Sequence, residues 1–251
     1  MIKSHKESFV HRLFDTITPG YDCFNRLASL GLDRAWRRRT IDSLELLPGM
    51  RVLDLASGTG DLAVEAALRM VPLGLVVGCD LSHPMLRCAA ARLARHPAAG
   101  WHVRLAQARA EQLPFPAEAF HAATIGFALR NVSDLEGTFR ELRRVVRPGG
   151  RIGLLEFGRP RNPLLRAGHW LWLTFALPPL GLLTTGRIWP FLYLRRSILG
   201  FLAPEEVVRL LQRSGFNEAR AEPLCGGAVV LYQTSCYSGL PSHGHGVQKP
   251  I

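Results

Sequence analysis

The sequence predicts an α/β fold in which the strands of a mostly parallel sheet alternate with helices. Short apolar runs such as 51–55 and 75–79 are each followed by turn residues and then by a segment with helical periodicity. The first run leads into a Gly-x-Gly turn that opens a helix, a pattern typical of doubly wound folds that bind nucleotide-type cofactors. The alternation then repeats along the chain, and units of these lengths form parallel sheets with right-handed crossovers.

The elements follow from apolar periodicity and from the Gly and Pro residues between them. A helical region is expected over about residues 5–47, and Pro148-Gly149-Gly150 is expected to stop a later helix. The other predicted elements, in chain order, are a strand at 51–55, a helix at 60–70, a strand at 75–79, a helix at 83–95, strands at 102–106 and 120–127, a helix at 135–146 and a strand at 151–157.

The alternation breaks from about residue 160 to 200, which indicates an insertion rich in Trp, Leu and Pro. A helix at 204–214 and two closing strands near 216–223 and 227–234 are expected after it. The tail 237–251 has no periodicity and is expected to be disordered. We therefore expect a single domain over residues 1–236 that carries both the helical region and the insertion.

The composition limits the partners and the compartment. The 251 residues are 47% hydrophobic and 20% charged, which suits a packed core, and the net charge of +11 favours nucleic acid, an anionic membrane or an acidic substrate. The five cysteines show no C-x-x-C pair and no metal-type spacing, so a reducing cytosol fits best. The N-terminus has no apolar core of a signal peptide, and the longest apolar run, 171–183, is too short and too broken to span a bilayer. A cytoplasmic protein at the inner membrane face is the favoured setting.

The segment around the first strand indicates which cofactor is bound. Gly58 and Gly60 allow close backbone approach, and Asp80, twenty residues past Gly60, can hold a ribose diol. Because Gly58 to Ala63 also satisfies G-x-G-x-x-A, a nicotinamide dinucleotide is a real competitor. Against it, Asp54 stands where S-adenosylmethionine enzymes place a carboxylate, and Asp61 would be unfavourable beside a pyrophosphate. The Arg-Pro-Gly-Gly turn at 147–150 also favours a methyltransferase.

Several motifs carry a resemblance to a known family. The matching blocks are Phe14-Asp15-x-Ile17-x-x-x-Tyr21-Asp22-x-x-Asn25, Leu30-Gly31-x-Asp33-Arg34-x-Trp36-Arg37, Leu53-Asp54-Leu55-Ala56-x-Gly58-Thr59-Gly60-Asp61, Ala110-Glu111-x-Leu113-Pro114-Phe115-Pro116, Leu129-Arg130-Asn131-Val132, and Arg147-Pro148-Gly149-Gly150-Arg151 with Leu155-Glu156-Phe157. Over roughly residues 12–235 the chain resembles the UbiE/MenG family of quinone-ring C-methyltransferases, which are S-adenosylmethionine-dependent class I enzymes. The resemblance implies a Rossmann-like, seven-stranded, mostly parallel sheet with an N-terminal helical lid over about 5–47 and a hydrophobic insertion after strand five.

The resemblance also implies where the cofactor binds. With Asp54, Gly58 and Gly60 of the glycine segment, it places cofactor contacts at Thr59, Asp80, Arg109, Ala110 and Gly126. Two of these positions depart from the family pattern, since Arg109 stands where Asn or Asp is common and Gly126 where Ser is common. A third departure is Arg195-Arg196, where the family usually has Ala-Glu in the segment on the substrate side.

Methylation of an aromatic carbon requires stabilisation of a forming phenolate and removal of a proton. Arg130 can stabilise the phenolate and Asn131 can orient a ring oxygen, although Arg130 could instead be a surface salt-bridge partner of Asp134. Asp22 is a candidate base, or equally the N-cap of a helix near Phe24.

Four further residues are candidates of the same site. Tyr21, Asn25 and Glu156 are candidate substrate contacts, and a structural hydrogen bond is nearly as probable for Glu156. His169 could also act as a base, although a lone His beside Trp170 is more often packed.

The insertion suggests contact with lipid. Its stretch 170–180 is unusually apolar and is surrounded by arginines at positions 159, 161, 166, 187, 195 and 196, which suits a prenylated quinol and an anionic membrane better than an ordinary core with a basic rim. A homodimer is left open, and no metal site is expected. Nucleic acid is disfavoured because no stacking aromatics interleave with the basic residues. The alternatives are methylation of another lipid or of a secondary metabolite, an RNA methyltransferase, and a cofactor-binding scaffold without catalysis.

Overall fold

A seven-stranded sheet with the order β3-β2-β1-β4-β5-β7-β6 forms the centre of the molecule. The computed structural model describes residues 2–100 and 102–237, so all but the first residue of the expected disordered tail lies outside the described part. The strands are β1 Arg51–Leu55, β2 Leu75–Asp80, β3 Val103–Gln107, β4 Phe120–Gly126, β5 Val146–Phe157, β6 Phe216–Leu224 and β7 Val229–Cys236. The first five are parallel, and β7 pairs antiparallel with both β5 and β6.

Helices cover both faces of this sheet, as the alternation predicts. They are α1 Ile2–Ile17, α2 Tyr21–Ala28, α3 Asp33–Asp42, α4 Asp61–Arg69, α5 His83–Ala94, α6 Pro97–Gly100, α7 Leu135–Val145, α8 Pro163–Leu171, α9 Leu177–Thr185, α10 Trp189–Leu199 and α11 Pro204–Arg213. Apolar residues of α3 and α4, such as Ile41 and Ala66, form the core on one face, and Phe139 of α7 and Leu211 of α11 belong to the core on the other. The parallel strands are therefore buried on both faces, which explains their continuous apolar runs.

The structure differs from the sequence prediction at β5 and in the N-terminal region. β5 begins at Val146 and continues through Pro148-Gly149-Gly150, with a register shift in its pairing to β4. Proline lacks a donor and Gly149 has φ +74°, so the hydrogen-bond ladder to β4 is interrupted here, as in a bulge. The helical region over about 5–47 is divided into three helices at Gly20 and Gly31, both with positive φ.

The N-terminal helices and the insertion pack on each other and share a separate core. Leu13 and Ile17 of α1 and Phe24 of α2 are buried against residues such as Leu177 and Phe191, and the rings of Phe24 and Phe191 are 4.2 Å apart between centroids. A π-helical segment, Trp172–Ala176, joins α8 to α9. None of the helices in residues 2–100 and 102–237 is long and apolar enough to cross a membrane.

Candidate active site

Two adjoining cavities lie at the carboxyl ends of the parallel strands, where ligands bind in open α/β sheets. The smaller has a volume of about 140 Å³ and the larger about 300 Å³. Four residues line both: Phe14 of α1, Tyr21 of α2, and Phe127 and Asn131 after β4. Groups bound in the two cavities would therefore meet at this shared wall.

Asp80 is the central polar group of the smaller cavity. Its Oδ2 accepts a hydrogen bond from the Gly58 backbone N–H at 2.8 Å and its Oδ1 one from that of Ser82 at 2.8 Å. Burial raises the pKa of the Asp80 carboxyl, and these backbone donors oppose the rise. The carboxylate is thus oriented while a lone pair on each oxygen stays available for a ligand hydroxyl.

The expected cofactor residues divide into two groups. Five of them line the smaller cavity: Gly58, Asp80, Arg109, Ala110 and Gly126. Asp54, Thr59 and Gly60 do not line it. The Thr59 hydroxyl donates to Asp22 Oδ1 at 2.8 Å, and Gly60, with φ +85°, begins α4 so closely against α5 that a Cβ atom would be 3.2 Å from that of Ala89. In the structure these three residues support the glycine turn beside the smaller cavity, and a direct contact with the cofactor stays a prediction for them.

Asp54 is a buried structural carboxyl beneath the glycine turn. It is 1% exposed and accepts hydrogen bonds from Ser57 Oγ and Thr124 Oγ1, both at 2.7 Å. Burial, only partly offset by these two hydroxyls, raises its pKa to about 6. The carboxyl therefore binds its proton more tightly in the folded protein than in the unfolded chain.

We expect Asp54→Asn to stabilise the protein at pH 8 but not at pH 4. Below the unfolded pKa of 3.8 both states are protonated, whereas above about 6 the folded state holds a buried carboxylate. The difference corresponds to about 3 kcal/mol at most. The measurement is urea unfolding of parent and variant between pH 4 and 8, with Asp42→Asn as the exposed control. A stability difference that does not grow with pH would contradict the expectation.

Gly126 and Arg109, the two cofactor positions that depart from the family pattern, have different surroundings in the structure. At Gly126 a Cβ atom would lie 2.7 Å from Leu62 Cδ1, so this leucine fills the space that a serine side chain would need. Arg109 is exposed at the rim of the smaller cavity and pairs through its backbone with Gln112. At Gly126, Leu62 thus takes the place of a side chain, whereas Arg109 and Ala110 both line the smaller cavity.

The sequence reasoning missed several residues of the smaller cavity, including His11, Leu81, Ser82 and Met85. Ser82 caps α5, and its Oγ donates to Asp15 Oδ1 of α1 at 2.6 Å. Residues directly after Asp80 could have been found from the strand end alone. The α1 contacts could not, because they join parts of the chain that are far apart in sequence.

The larger cavity is bounded mainly by apolar side chains of the helical lid and the insertion. Its walls include Phe24, Trp36, Phe157, Trp172, Leu173, Leu177 and Phe191, together with the polar residues Tyr21, Asn25, Asp33, Arg37, His169 and Tyr193. The Tyr21 hydroxyl hydrogen-bonds with Asn25, and burial raises its pKa. The predicted placement of Tyr21 and Asn25 at a ligand cavity agrees with this geometry.

Arg130 and Glu156 form a buried ion pair beside the larger cavity, with side chains only 6% and 0% exposed. Arg130 Nη1 is 2.6 Å from Glu156 Oε1, which also accepts from the Phe157 N–H at 2.8 Å, and the Arg130 N–H donates to Oε2 at 3.1 Å. Asp134, the alternative partner, instead caps α7 through Gly137. Glu156 lines neither cavity and contacts Arg130, which agrees with the structural alternative, while a substrate contact of Glu156 stays a prediction.

Asn131 presents an unused donor at the wall shared by the two cavities. The Tyr193 hydroxyl donates to Asn131 Oδ1 at 3.2 Å, which orients the amide. Asn131 Nδ2 and Arg130 Nε are buried and have no hydrogen-bond partner among the described residues. Because unsatisfied buried donors are costly, this pair marks a place for an acceptor oxygen.

Asp22 contacts the glycine turn and α5. Its carboxylate accepts from Thr59 and forms an ion pair with Arg92 of α5, and it lines neither cavity. Gly20, rather than Asp22, takes the N-cap position of α2. Asp22 therefore fastens the lid helix to the glycine turn. This corrects the N-cap interpretation, while a role of Asp22 as a base stays a prediction. His169 does line the larger cavity, and burial lowers its pKa.

Comparison with known proteins agrees with this geometry. The model of the ubiE/COQ5 methyltransferase family matches residues 1–235. A demethylmenaquinone methyltransferase of Desulfitobacterium hafniense (strain Y51) is 35% identical over 226 residues, which cover 90% of this chain and 89% of that protein. The ubiquinone/menaquinone biosynthesis C-methyltransferase UbiE of Syntrophotalea carbinolica is 42% identical over 221 residues, 88% of this chain and 91% of that one.

Solved structures support the fold alone. A SAM-dependent methyltransferase from Aquifex aeolicus matches with a TM-score of 0.62 at 14% identity, over 85% of this chain and 96% of that chain. The [4+2]-cyclase SpnF matches with a TM-score of 0.61 at 19% identity, over 82% of both chains. Since a cyclase shares the architecture, the activity has to be argued from the site.

Proposed function

Because the chain belongs to the ubiE/COQ5 methyltransferase family, we propose that this S-adenosylmethionine-dependent methyltransferase methylates a ring carbon of a demethylated, prenylated quinol. The relatives named for demethylmenaquinone and ubiquinone/menaquinone biosynthesis support this class of acceptor. The observation that carries the proposal is the pair of unpartnered donors, Asn131 Nδ2 and Arg130 Nε, beside a wall that the two cavities share.

The smaller cavity fits the cofactor. The Asp80 carboxylate can accept hydrogen bonds from a ribose diol, and the apolar side chains of Leu81 and Met85 offer a surface for the adenine ring. The backbone at Arg109-Ala110 can meet the adenine edge. When bound, S-adenosylmethionine supplies an electrophilic methyl group on a sulfonium.

The residues at the shared wall would stabilise the charge that forms on the acceptor. A quinol carbon is nucleophilic when the neighbouring hydroxyl is ionised, and Arg130 and Asn131 can donate hydrogen bonds to that oxygen. Such donors act most strongly where water is excluded, as in the buried setting of both side chains. Phe127, which lines both cavities, can hold the ring against the wall.

With the cofactor held against Asp80, Ala110 and Gly126, it would supply its methyl group to the acceptor carbon at the shared wall. The ring carbon then loses its hydrogen as a proton, which restores the aromatic ring. His169 lies in the wall of the larger cavity, and its lowered pKa leaves the imidazole neutral near pH 7 and able to accept this proton.

The larger cavity suits an apolar tail. Its walls come mostly from Phe, Leu and Trp side chains, and two of its lining residues, Leu30 and Trp172, are also exposed at the surface. The cavity thus opens outward beside the insertion, where a prenyl chain could leave it.

The test is methyl transfer from labelled S-adenosylmethionine to demethylmenaquinol in detergent micelles, with the product identified by mass spectrometry. The matched control is the oxidised quinone, whose ring carbon is not nucleophilic and should accept no label. Label in the reduced acceptor alone is the expected result. If calorimetry shows that the cofactor binds but no methyl group is transferred to a naphthoquinol or a benzoquinol, this class of acceptor is wrong. The fold assignment would not be affected.

A further inference from the structure

A broad apolar surface covers the outside of the insertion. We call it the apolar face and define it by the exposed apolar side chains of α8, the π-helical segment, α9 and α10: Leu164, Leu165, Trp170, Leu171, Trp172, Phe175, Leu182, Leu183, Ile188, Trp189 and Leu192. Leu164 is 81% and Leu183 83% exposed, and α8 has no buried residue among its nine. Exposed apolar patches of this kind mark interaction sites.

The insertion that carries the apolar face has positively charged side chains but no acidic ones. Residues 157–204 contain six arginines and no Asp or Glu. Of these arginines, Arg166, Arg187 and Arg196 are exposed and form no ion pair with any residue that the structure describes. Arg195 donates to Thr174 Oγ1 at 2.9 Å and lies over the Trp170 ring. The family departure at 195–196 therefore adds positive charge to this surface, outside the lining of the larger cavity.

The apolar face is continuous with the larger cavity. Trp172 belongs to both, and Leu173, which follows it, is buried in the cavity wall. Trp189 and Leu192 are exposed on α10, whereas Pro190 and Phe191 between them line the cavity. An apolar molecule that left the cavity past Trp172 would therefore meet the exposed side chains of the apolar face.

We propose that the apolar face docks on an anionic phospholipid bilayer, with its Leu, Phe and Trp side chains at the acyl boundary and its arginines on the lipid phosphates. Interfacial helices of peripheral proteins combine these same features, and tryptophan favours the boundary between acyl chains and water. Each arginine near an anionic surface contributes about 1 kcal/mol, or about a fivefold change in binding.

A second copy of this chain fits the same surface less well. In a twofold dimer the face would meet itself, which would bring Arg166, Arg187 and Arg196 of each copy to one interface with no acidic residue of this segment to pair with them. An anionic bilayer supplies the missing negative charge. The docking surface rests on the proposed function in one respect, since it gives a lipid-soluble acceptor a route from the bilayer to the larger cavity. Binding to the bilayer is nevertheless measured without any methyl transfer.

The experiment is sedimentation of the full chain with vesicles, comparing phosphatidylcholine alone with a mixture of phosphatidylcholine and phosphatidylglycerol. We expect binding to the anionic vesicles that weakens with salt. Leu164→Ser/Leu183→Ser should weaken it at least tenfold, and Arg166→Gln/Arg187→Gln should weaken it about 25-fold and reduce the salt dependence. The matched control, Leu47→Ser/Leu73→Ser, removes two leucines that are also exposed but precede β1 and β2 at the opposite edge of the sheet.

Three results would overturn the proposal. The first is equal binding to neutral and anionic vesicles. The second is a loss of vesicle binding in the control variant as large as in the Leu164→Ser/Leu183→Ser variant. The third is a concentration-dependent dimer of the parent protein that Leu164→Ser/Leu183→Ser disrupts and the control does not. A short-chain, water-soluble demethylated quinol separates this proposal from the proposed function, because none of the substituted residues lines a cavity. Variants of the apolar face that still methylate that acceptor but no longer bind vesicles support docking. Vesicle binding without methylation of any quinol would overturn only the proposed acceptor class.

Discussion

Replacement of Asn131 by alanine is expected to lower kcat for quinol methylation by about 10²- to 10³-fold, the loss typical when a preorganised donor to a forming oxyanion is removed. Asn131 is 8% exposed, lines both cavities, and keeps its Nδ2 without a partner among the described residues. Its donor is therefore already in place before an acceptor oxygen arrives. Stopped assays with labelled cofactor at saturating quinol measure kcat directly.

Tyr193→Phe is the matched variant, because it deletes only the hydroxyl that donates to Asn131 Oδ1 at 3.2 Å. The amide then keeps its position but loses its orientation, so a smaller loss in kcat of about tenfold is expected, with cofactor affinity unchanged. Cofactor affinity should change little in the Asn131→Ala variant also. If alanine at Asn131 raises the KM for the quinol but leaves kcat intact, this residue binds the acceptor without stabilising the forming charge.

The sheet was largely predictable from the sequence because its determinants are local. Apolar runs bounded by Gly and Pro give β1 and β2 within a residue of their observed ends, and the strand-end acid Asp80 lies in the smaller cavity as expected. The start of β5 was not predictable in this way. Pro148-Gly149-Gly150 usually ends regular structure, and the strand continues across it because Val146 and Arg151, on either side, both pair with β4.

The side-chain partners of Asp22 and Glu156 could not be predicted, for a different reason. Each is a carboxylate at the edge of the expected site, but its partner is remote in sequence: Arg92 lies 70 residues from Asp22, and Arg130 lies 26 residues from Glu156. Whether a carboxylate faces a ligand or an arginine depends on tertiary packing. The motif around Arg130 and Asn131 lies at the larger cavity, as the sequence predicts, whereas the unpartnered donors became visible only in the structure.

The largest effect on stability is expected at Glu156. Substitution by glutamine should lower the free energy of unfolding by about 3–5 kcal/mol, because it leaves the buried Arg130 guanidinium without its counter-charge. Glutamine keeps the size of the side chain, but its Nε2 donor would face one of the N–H groups that now donate to the carboxylate. Urea unfolding at pH 7, followed by circular dichroism, measures the loss.

The control is Glu205→Gln, which breaks the exposed pair of Glu205 with Arg161 and should cost less than about 1 kcal/mol. The double variant Arg130→Met/Glu156→Leu replaces both charges with apolar groups of similar volume, so most of the lost stability should return. Methylation should not return with it, because Arg130 Nε is gone. Equal costs for Glu156→Gln and Glu205→Gln would show that the buried pair does not stabilise the fold, and activity in the stable double variant would remove Arg130 from the proposed chemistry.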